Sequence, residues 1–257
     1  MSILAPEPGA GRPPGPALLA VEGLTVAYGK AEVVHDVSLE VRQGELVVLL
    51  GRNGAGKSTI LNAISGLIRK RAGKVRLDGR DVTAASPRAI VRGGLVQVLE
   101  GHRVFTTLSV EDNLLLGTYA WHAHGDRRQL ERIYALFPEL ASRRRQPASR
   151  LSGGQQQILA VAQSIIGELR LLMLDEPSCG LAPILVDRIL DVVQGLCREG
   201  IGVLLVEQLV EKALRNAGYA YLLETGRIAG EGPAASVAQG DLLRRIYLGD
   251  HGRIDAA

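Results

Sequence analysis

The chain has 257 residues, 46% hydrophobic and 22% charged, enough for one sizeable core with a small insertion and too apolar for a disordered polymer. Its net charge of +3 is too mild to argue for nucleic acid, which would need one clear basic face. Two cysteines, Cys179 and Cys197, suggest no disulfide framework and fit a reducing cytoplasm, and no run of about 20 apolar residues is present to span a bilayer.

Residues 1–17 are rich in Pro, Gly and Ala and lack the basic start and apolar stretch of a secretory signal, so they read as a disordered tail. Ordered sequence is expected over 18–250, with 251–257 as a second tail. Leu19–Tyr28 and Val33–Val41 alternate as two strands joined at Gly29-Lys30. The apolar run Glu45–Leu50 predicts a buried strand ending in a glycine-rich turn, and Lys57–Ser65 a helix closed by Gly66. Val75–Leu77, ahead of the Asp78-Gly79 turn, and Gly94–Val98 read as short strands.

From Ser109 to about Leu136 the pattern is helical, with Ser109 and Asp112 resembling a capping box. This stretch suggests an inserted helical subdomain over about residues 100–165, and the run Arg143-Arg144-Arg145 a solvated face. After Leu151 the order is helix, strand Leu169–Leu174, helix Pro183–Arg198, strand Val203–Val206, helix Gln208–Asn216. Such alternation indicates parallel strands with crossover helices, hence an α/β class. Tyr219–Leu223 and Arg227–Ala229 form a closing hairpin about Thr225-Gly226.

Gly51-Arg52-Asn53-Gly54-Ala55-Gly56-Lys57-Ser58 matches G-x-x-x-x-G-K-[ST], with the buried strand before it and helix after it that the motif needs. Its glycines let backbone N–H groups face inward, and the helix N-terminus adds partial positive charge. Lys57 can reach the β- and γ-phosphates of a nucleotide, and the Ser58 hydroxyl can ligate Mg²⁺. Leu171–Leu174 followed by Asp175-Glu176 sets two carboxylates at the carboxyl edge of a sheet, where open α/β sheets bind ligands. Asp175 suits the metal there, and Glu176 suits the attacking water as general base. Leu151-Ser152-Gly153-Gly154-Gln155 is another candidate anion site: Ser152 as helix cap, Gln155 in the capping-box position, and glycines baring N–H groups.

The pentapeptide followed by Leu171–Pro177 resembles the ATP-binding subunits of ABC transporters, and the similarity runs from about Leu18 to Gly249. The resemblance implies a P-loop NTPase fold of ABC type: a mixed-sheet core with an antiparallel N-terminal β subdomain and the inserted α-helical subdomain. It implies ATP and Mg²⁺ as ligands, with Gly51 through Thr59 on the nucleotide and Tyr28 stacking on adenine. It also implies a head-to-tail pair in which Leu151, Ser152, Gly153, Gly154 and Gln155 of one subunit close over ATP held by the other. Implied partners are a second ATP-binding subunit, the same or a sister chain, membrane permease subunits and, indirectly, a periplasmic or extracellular solute-binding protein, with no nucleic acid. The location implied is the cytoplasmic face of the cell membrane.

Departures from the common family pattern narrow the resemblance. Where the family has a γ-phosphate-sensing glutamine, Glu100 is expected as the third metal-side residue beside Ser58 and Asp175, the alternative sensor being Gln97, three residues earlier and expected inside the strand. Gln208 replaces the usual switch histidine, and Leu181 replaces an aspartate of the dimer-contacting loop. Together Glu100-Gly101-His102-Arg103-Val104-Phe105, Ser178-Cys179-Gly180-Leu181-Ala182-Pro183, Val206-Glu207-Gln208 and terminal Ile246-Tyr247-Leu248-Gly249 are similar to the branch energising branched-chain amino acid import. Importers of urea and short-chain amides use close relatives. A soluble ABC-type ATPase acting on nucleic acid or ribosomes usually carries a coiled-coil insertion or a second ATP domain, and a small-molecule kinase has no use for Leu151–Gln155. The resemblance puts Glu100–Asn113 beside the groove for a permease helix, with Phe105 and Leu108 as contacts.

Overall fold

The computed structural model describes residues 15–101, 104–119 and 127–248. Most of the two expected tails, and His102, Arg103 and Gly249, therefore lie outside the described residues.

Chain order begins with β1 (Ala17–Tyr28), β2 (Ala31–Arg42), β3 (Leu46–Leu50), α1 (Lys57–Ile64), β4 (Ala72–Leu77) and β5 (Arg80–Asp81). It continues through α2 (Pro87–Arg92), β6 (Leu95–Val98), α3 (Val110–Thr118), α4 (Arg127–Leu136), α5 (Pro138–Ala141) and α6 (Gly153–Ser164). It ends with β7 (Leu171–Asp175), α7 (Pro183–Arg198), β8 (Gly202–Val206), α8 (Val210–Asn216), β9 (Tyr219–Glu224), β10 (Arg227–Pro233), α9 (Ala234–Gln239) and α10 (Asp241–Leu248). The strands form a four-stranded antiparallel sheet, β2-β1-β4-β5, and a six-stranded mixed sheet, β10-β9-β3-β8-β7-β6, in which only β10 runs antiparallel to its neighbour.

The central strands are buried on both faces, and their alternation divides the interior. Val47 and Leu49 of β3, Leu171 and Met173 of β7, and Leu204 and Val206 of β8 face α1 and the antiparallel sheet. The intervening Leu46, Val48, Leu50, Leu172, Leu174, Val203 and Leu205 face the layer containing α6, α7 and α8. Each such side chain contributes roughly 1.5–3 kcal/mol by leaving water. That is why β3, β7 and β8 read as continuous apolar runs, as parallel strands covered on both faces do. The helices α3 to α6 pack on the second of these cores, with α3 lying against α6.

Several elements differ from the sequence expectation. β1 opens at Ala17, within the stretch expected as tail, because Ala17 pairs with Arg42 of β2. The helix α2 was not expected, although Ser86 caps it through Ala89 N–H at 3.3 Å and Pro87 takes its first turn. Short α5, α9 and α10 were also missed; Ile246 of α10 is buried in the same core as α6 and α7, a tertiary anchor invisible to local pattern. At α3 the capping box is only half formed. Ser109 Oγ accepts from Asp112 N–H at 3.0 Å, but the short aspartate bonds back to the hydroxyl at 2.5 Å rather than to the Ser109 backbone.

Candidate active site

Four chain segments converge at the carboxyl edge of the mixed sheet: the loop after β3, and the residues following β6, β7 and β8. They surround a cleft of about 380 Å³ whose lining includes Asn53, Gly54, Gly56, Lys57, Ser58, Thr59, Glu100, Glu176 and Gln208. Arg52, Asn53 and Gly54 are exposed, whereas Gly51, Ala55 and Gly56 are buried against the sheet. Gly56 has φ 107 and precedes α1 with no side-chain cap, so the first turn of the helix keeps its N–H groups pointing into the cleft. Two braces that local sequence reading missed steady the loop. Gly226 N–H donates to Ala55 O at 2.9 Å, and Gly51 N–H donates to the phenolic oxygen of Tyr247 at 2.8 Å. Burial pushes the Tyr247 phenol above its usual range, so it stays a neutral acceptor.

Lys57 is only 4% exposed. Its ammonium donates to Gly51 O at 2.9 Å and Arg52 O at 3.3 Å and lies 3.4 Å from a Glu176 carboxylate oxygen. The other Glu176 oxygen accepts from the Gln208 side-chain amide. Glu176 itself has φ 48, a left-handed conformation for a non-glycine residue, held by its N–H bonding to Val206 O at 2.9 Å. Such a conformation costs on the order of 1–3 kcal/mol and concentrates where a side chain must be aimed.

Asp175, 3% exposed, accepts from the Ser58 hydroxyl at 3.1 Å. Burial pushes its carboxyl above the usual range; the Ser58 bond and Lys57 oppose the rise, and Glu176 and Glu100 add to it. The result is a pocket of hard oxygen donors in which, among the described residues, Lys57 is the cation that acts on Asp175. Glu100 lines this cleft. Gln97 does not: it is in β6, accepting from Ser65 Oγ at 2.5 Å and donating to Asn62 Oδ1 at 3.0 Å, and it borders a separate groove with Val98, Gly117 and Gln163.

Tyr28 stands outside the cleft lining, 53% exposed, its hydroxyl 3.5 Å from Thr59 Oγ1. Leu151–Gln155 do not line the cleft either. Leu151 is buried, and Ser152 and Gln155 form a complete capping box on α6: Ser152 Oγ accepts from Gln155 N–H at 3.3 Å, and Gln155 Oε1 accepts from Ser152 N–H at 3.1 Å. Within one chain, then, one group of predicted residues assembles around this cleft and another is presented elsewhere.

The family described as ABC transporter matches residues 34–179, more than half of the chain. The high-affinity branched-chain amino acid transport ATP-binding protein BraG of Pseudomonas aeruginosa is 40% identical over 232 residues, covering 90% of this chain and 100% of that protein. The lipopolysaccharide export system ATP-binding protein LptB of Escherichia coli K12 is 31% identical over 240 residues, covering 93% and 100%. Among solved structures, the ADP conformation of MJ1267, an ATP-binding cassette of an ABC transporter, superposes with a TM-score of 0.81 over 92% of this chain and 100% of that one. At 24% identity that likeness establishes the fold alone. No helix among the described residues is long and apolar enough to cross a membrane. A match across the nucleotide loop, the acidic strand and the pentapeptide, joined by full-length likeness to transport ATPases, makes this chain a member of the ABC transporter family, an ATP-binding and ATP-hydrolysing subunit.

Proposed function

We propose that the chain energises uptake of branched-chain amino acids, working at the cytoplasmic face of the membrane with permease subunits, a second ATP-binding subunit and, indirectly, a solute-binding protein. The likeness to BraG over that protein's full length supports the substrate class. One relative is named for an export system, so the import direction is supported by the Glu100, Leu181 and Gln208 pattern, which resembles the importer branch.

The observation that carries the catalytic reading is the grouping of Lys57, Glu176 and Gln208 beside the Ser58–Asp175 pair. In this reading Gly51, Arg52, Asn53, Gly54, Ala55, Gly56, Lys57, Ser58 and Thr59 bind the phosphates, and Tyr28 packs on the base. Ser58, Asp175 and Glu100 are a hydroxyl and two carboxylates, a hard-oxygen set that fits Mg²⁺. Bound there, Mg²⁺ would neutralise phosphate charge. Glu176 then holds the attacking water as general base, Gln208 orients Glu176, and Lys57 exchanges its carboxylate and carbonyl partners for phosphate oxygens. Ser152, Gly153, Gly154 and Gln155, with Leu151 buried beneath, act on ATP held by the other subunit. The domain is read as 18–250, with a helical subdomain over about 100–165. Exposed Phe105 and half-buried Leu108 flank the permease groove.

The test is reconstitution with the permease and partner subunits in vesicles, supplying Mg²⁺-ATP on the side of this chain. Leucine uptake with stimulated hydrolysis is expected. Uptake of urea or an amide instead overturns the substrate class, and absence of Mg²⁺-dependent ATP binding overturns the catalytic reading.

A further inference from the structure

We propose that Glu207 is a positioning residue for hydrolysis, its buried carboxylate tying the loop after β7, through Ser178, to Gln208 and so to Glu176. The inference rests on the general-base reading of Glu176 and adds a residue to it. Glu207 follows β8 and is 4% exposed. One of its oxygens accepts from Ser178 N–H at 3.1 Å; the other accepts from Ser178 Oγ–H at 2.5 Å and from Gln208 N–H at 3.1 Å. A single carboxylate thus joins two segments separated by 29 residues. Each segment leads directly to Glu176: Gln208 through its side-chain amide, Ser178 through the intervening Pro177. Glu176 O also accepts from Cys179 N–H at 3.1 Å, closing the loop on itself.

The same loop reaches the pentapeptide. A Cβ at Gly154 would overlap Leu185 Cδ1 of α7 and lie 3.6 Å from Leu181 Cδ2, so Gly154 sits against the start of α7 and close to the end of the loop that Glu207 holds at Ser178. The neighbours that Gly154 meets there are apolar, Leu185 and Leu181, whereas the polar tie of the loop is made at Ser178 by Glu207. Burying a carboxylate is expensive unless its oxygens are filled, and this one is filled by donors from both segments. A displacement of Ser178 therefore either moves the Glu207–Gln208 segment or breaks a charged hydrogen bond worth roughly 1.5–3 kcal/mol.

The experiment uses the chain in its hydrolysing complex and measures kcat, KM for ATP, the Hill coefficient, binding of a fluorescent ATP analogue and thermal melting. Ser178→Ala and Glu207→Gln are each expected to lower kcat by roughly 10–100-fold, the range for removing the outer partner of a functional side chain, with nucleotide binding unchanged. The Hill coefficient should fall toward one, Ser178→Thr should restore kcat by restoring the hydroxyl, and the double variant should be no worse than the worse single. Wild-type kcat in Ser178→Ala overturns the proposal. So does a parallel loss of binding, melting temperature and kcat that Ser178→Thr does not rescue. Glu176→Gln run alongside separates the failures: if it too hydrolyses normally the general-base reading falls, and if it is inactive while Ser178→Ala is active only the role of Glu207 falls.

Discussion

Two helix N-termini in this protein carry glycine-rich sequences suited to phosphate, and they are built in opposite ways. α1 begins after Gly56 with no side-chain cap, and its first residue is the buried Lys57. α6 begins after Ser152 with both halves of a capping box in place. The first end leaves its donors for a ligand; the second has filled two of its own, Ser152 N–H and Gln155 N–H, from its side chains and leaves those of Gly153 and Gly154 uncapped by them. A phosphate can therefore bind at α1 unaided. At α6 the box leaves fewer donors and no buried lysine beside them, which favours binding when a second surface adds contacts of its own.

The largest expected effect tests where the chemistry sits. Glu176→Gln should slow hydrolysis by about 10²–10⁴-fold while ATP remains bound, since a general base is lost and the phosphate contacts are kept. Single-turnover hydrolysis alongside equilibrium binding measures both, and a wild-type rate would detach the chemistry from the α1 end. Next, Lys57→Ala should weaken ATP binding by roughly 10–100-fold, the equivalent of one charged hydrogen bond. Calorimetric titration that finds undiminished affinity would erase the contrast between the two helix ends.

Ser152→Ala sharpens the comparison from the other side. It should cost about 1 kcal/mol of stability in urea unfolding, the usual worth of an N-cap. ATP affinity of the unpaired chain should stay the same, because α6 does not line that chain's own cleft; a matching loss of affinity would contradict this. The smallest effect concerns pH. Gln208 cannot ionise, so the kcat profile should lack an imidazole step at about pH 6.5, and Gln208→His should introduce one. A step already present in the wild-type chain would mean another group governs the proposed orientation of Glu176.

Much of the site was legible because its pieces are contiguous. The phosphate loop, the strand ending at Asp175-Glu176 and the capping box of Ser152 and Gln155 each depend on local spacing and on how strands and helices begin or end. The start of helix α2 is also encoded locally, in Ser86 and Pro87. The reciprocal box expected at Ser109 failed for a local reason, the shorter reach of Asp112. By contrast, nothing near Tyr247 indicates that its hydroxyl will meet Gly51, 196 positions away.

The amino-acid sequence by itself determined the α/β class, the nucleotide loop, the paired acids and the family, since periodicity and short motifs encode these within a few turns of chain. Tertiary structure alone decided that β3 lies between β9 and β8, that Gly226 and Tyr247 brace the phosphate loop, and that Glu207 joins Ser178 to Gln208. These contacts link segments remote in sequence, and their partners are chosen by how the two hydrophobic layers pack against the mixed sheet. No local preference of the chain specifies that choice.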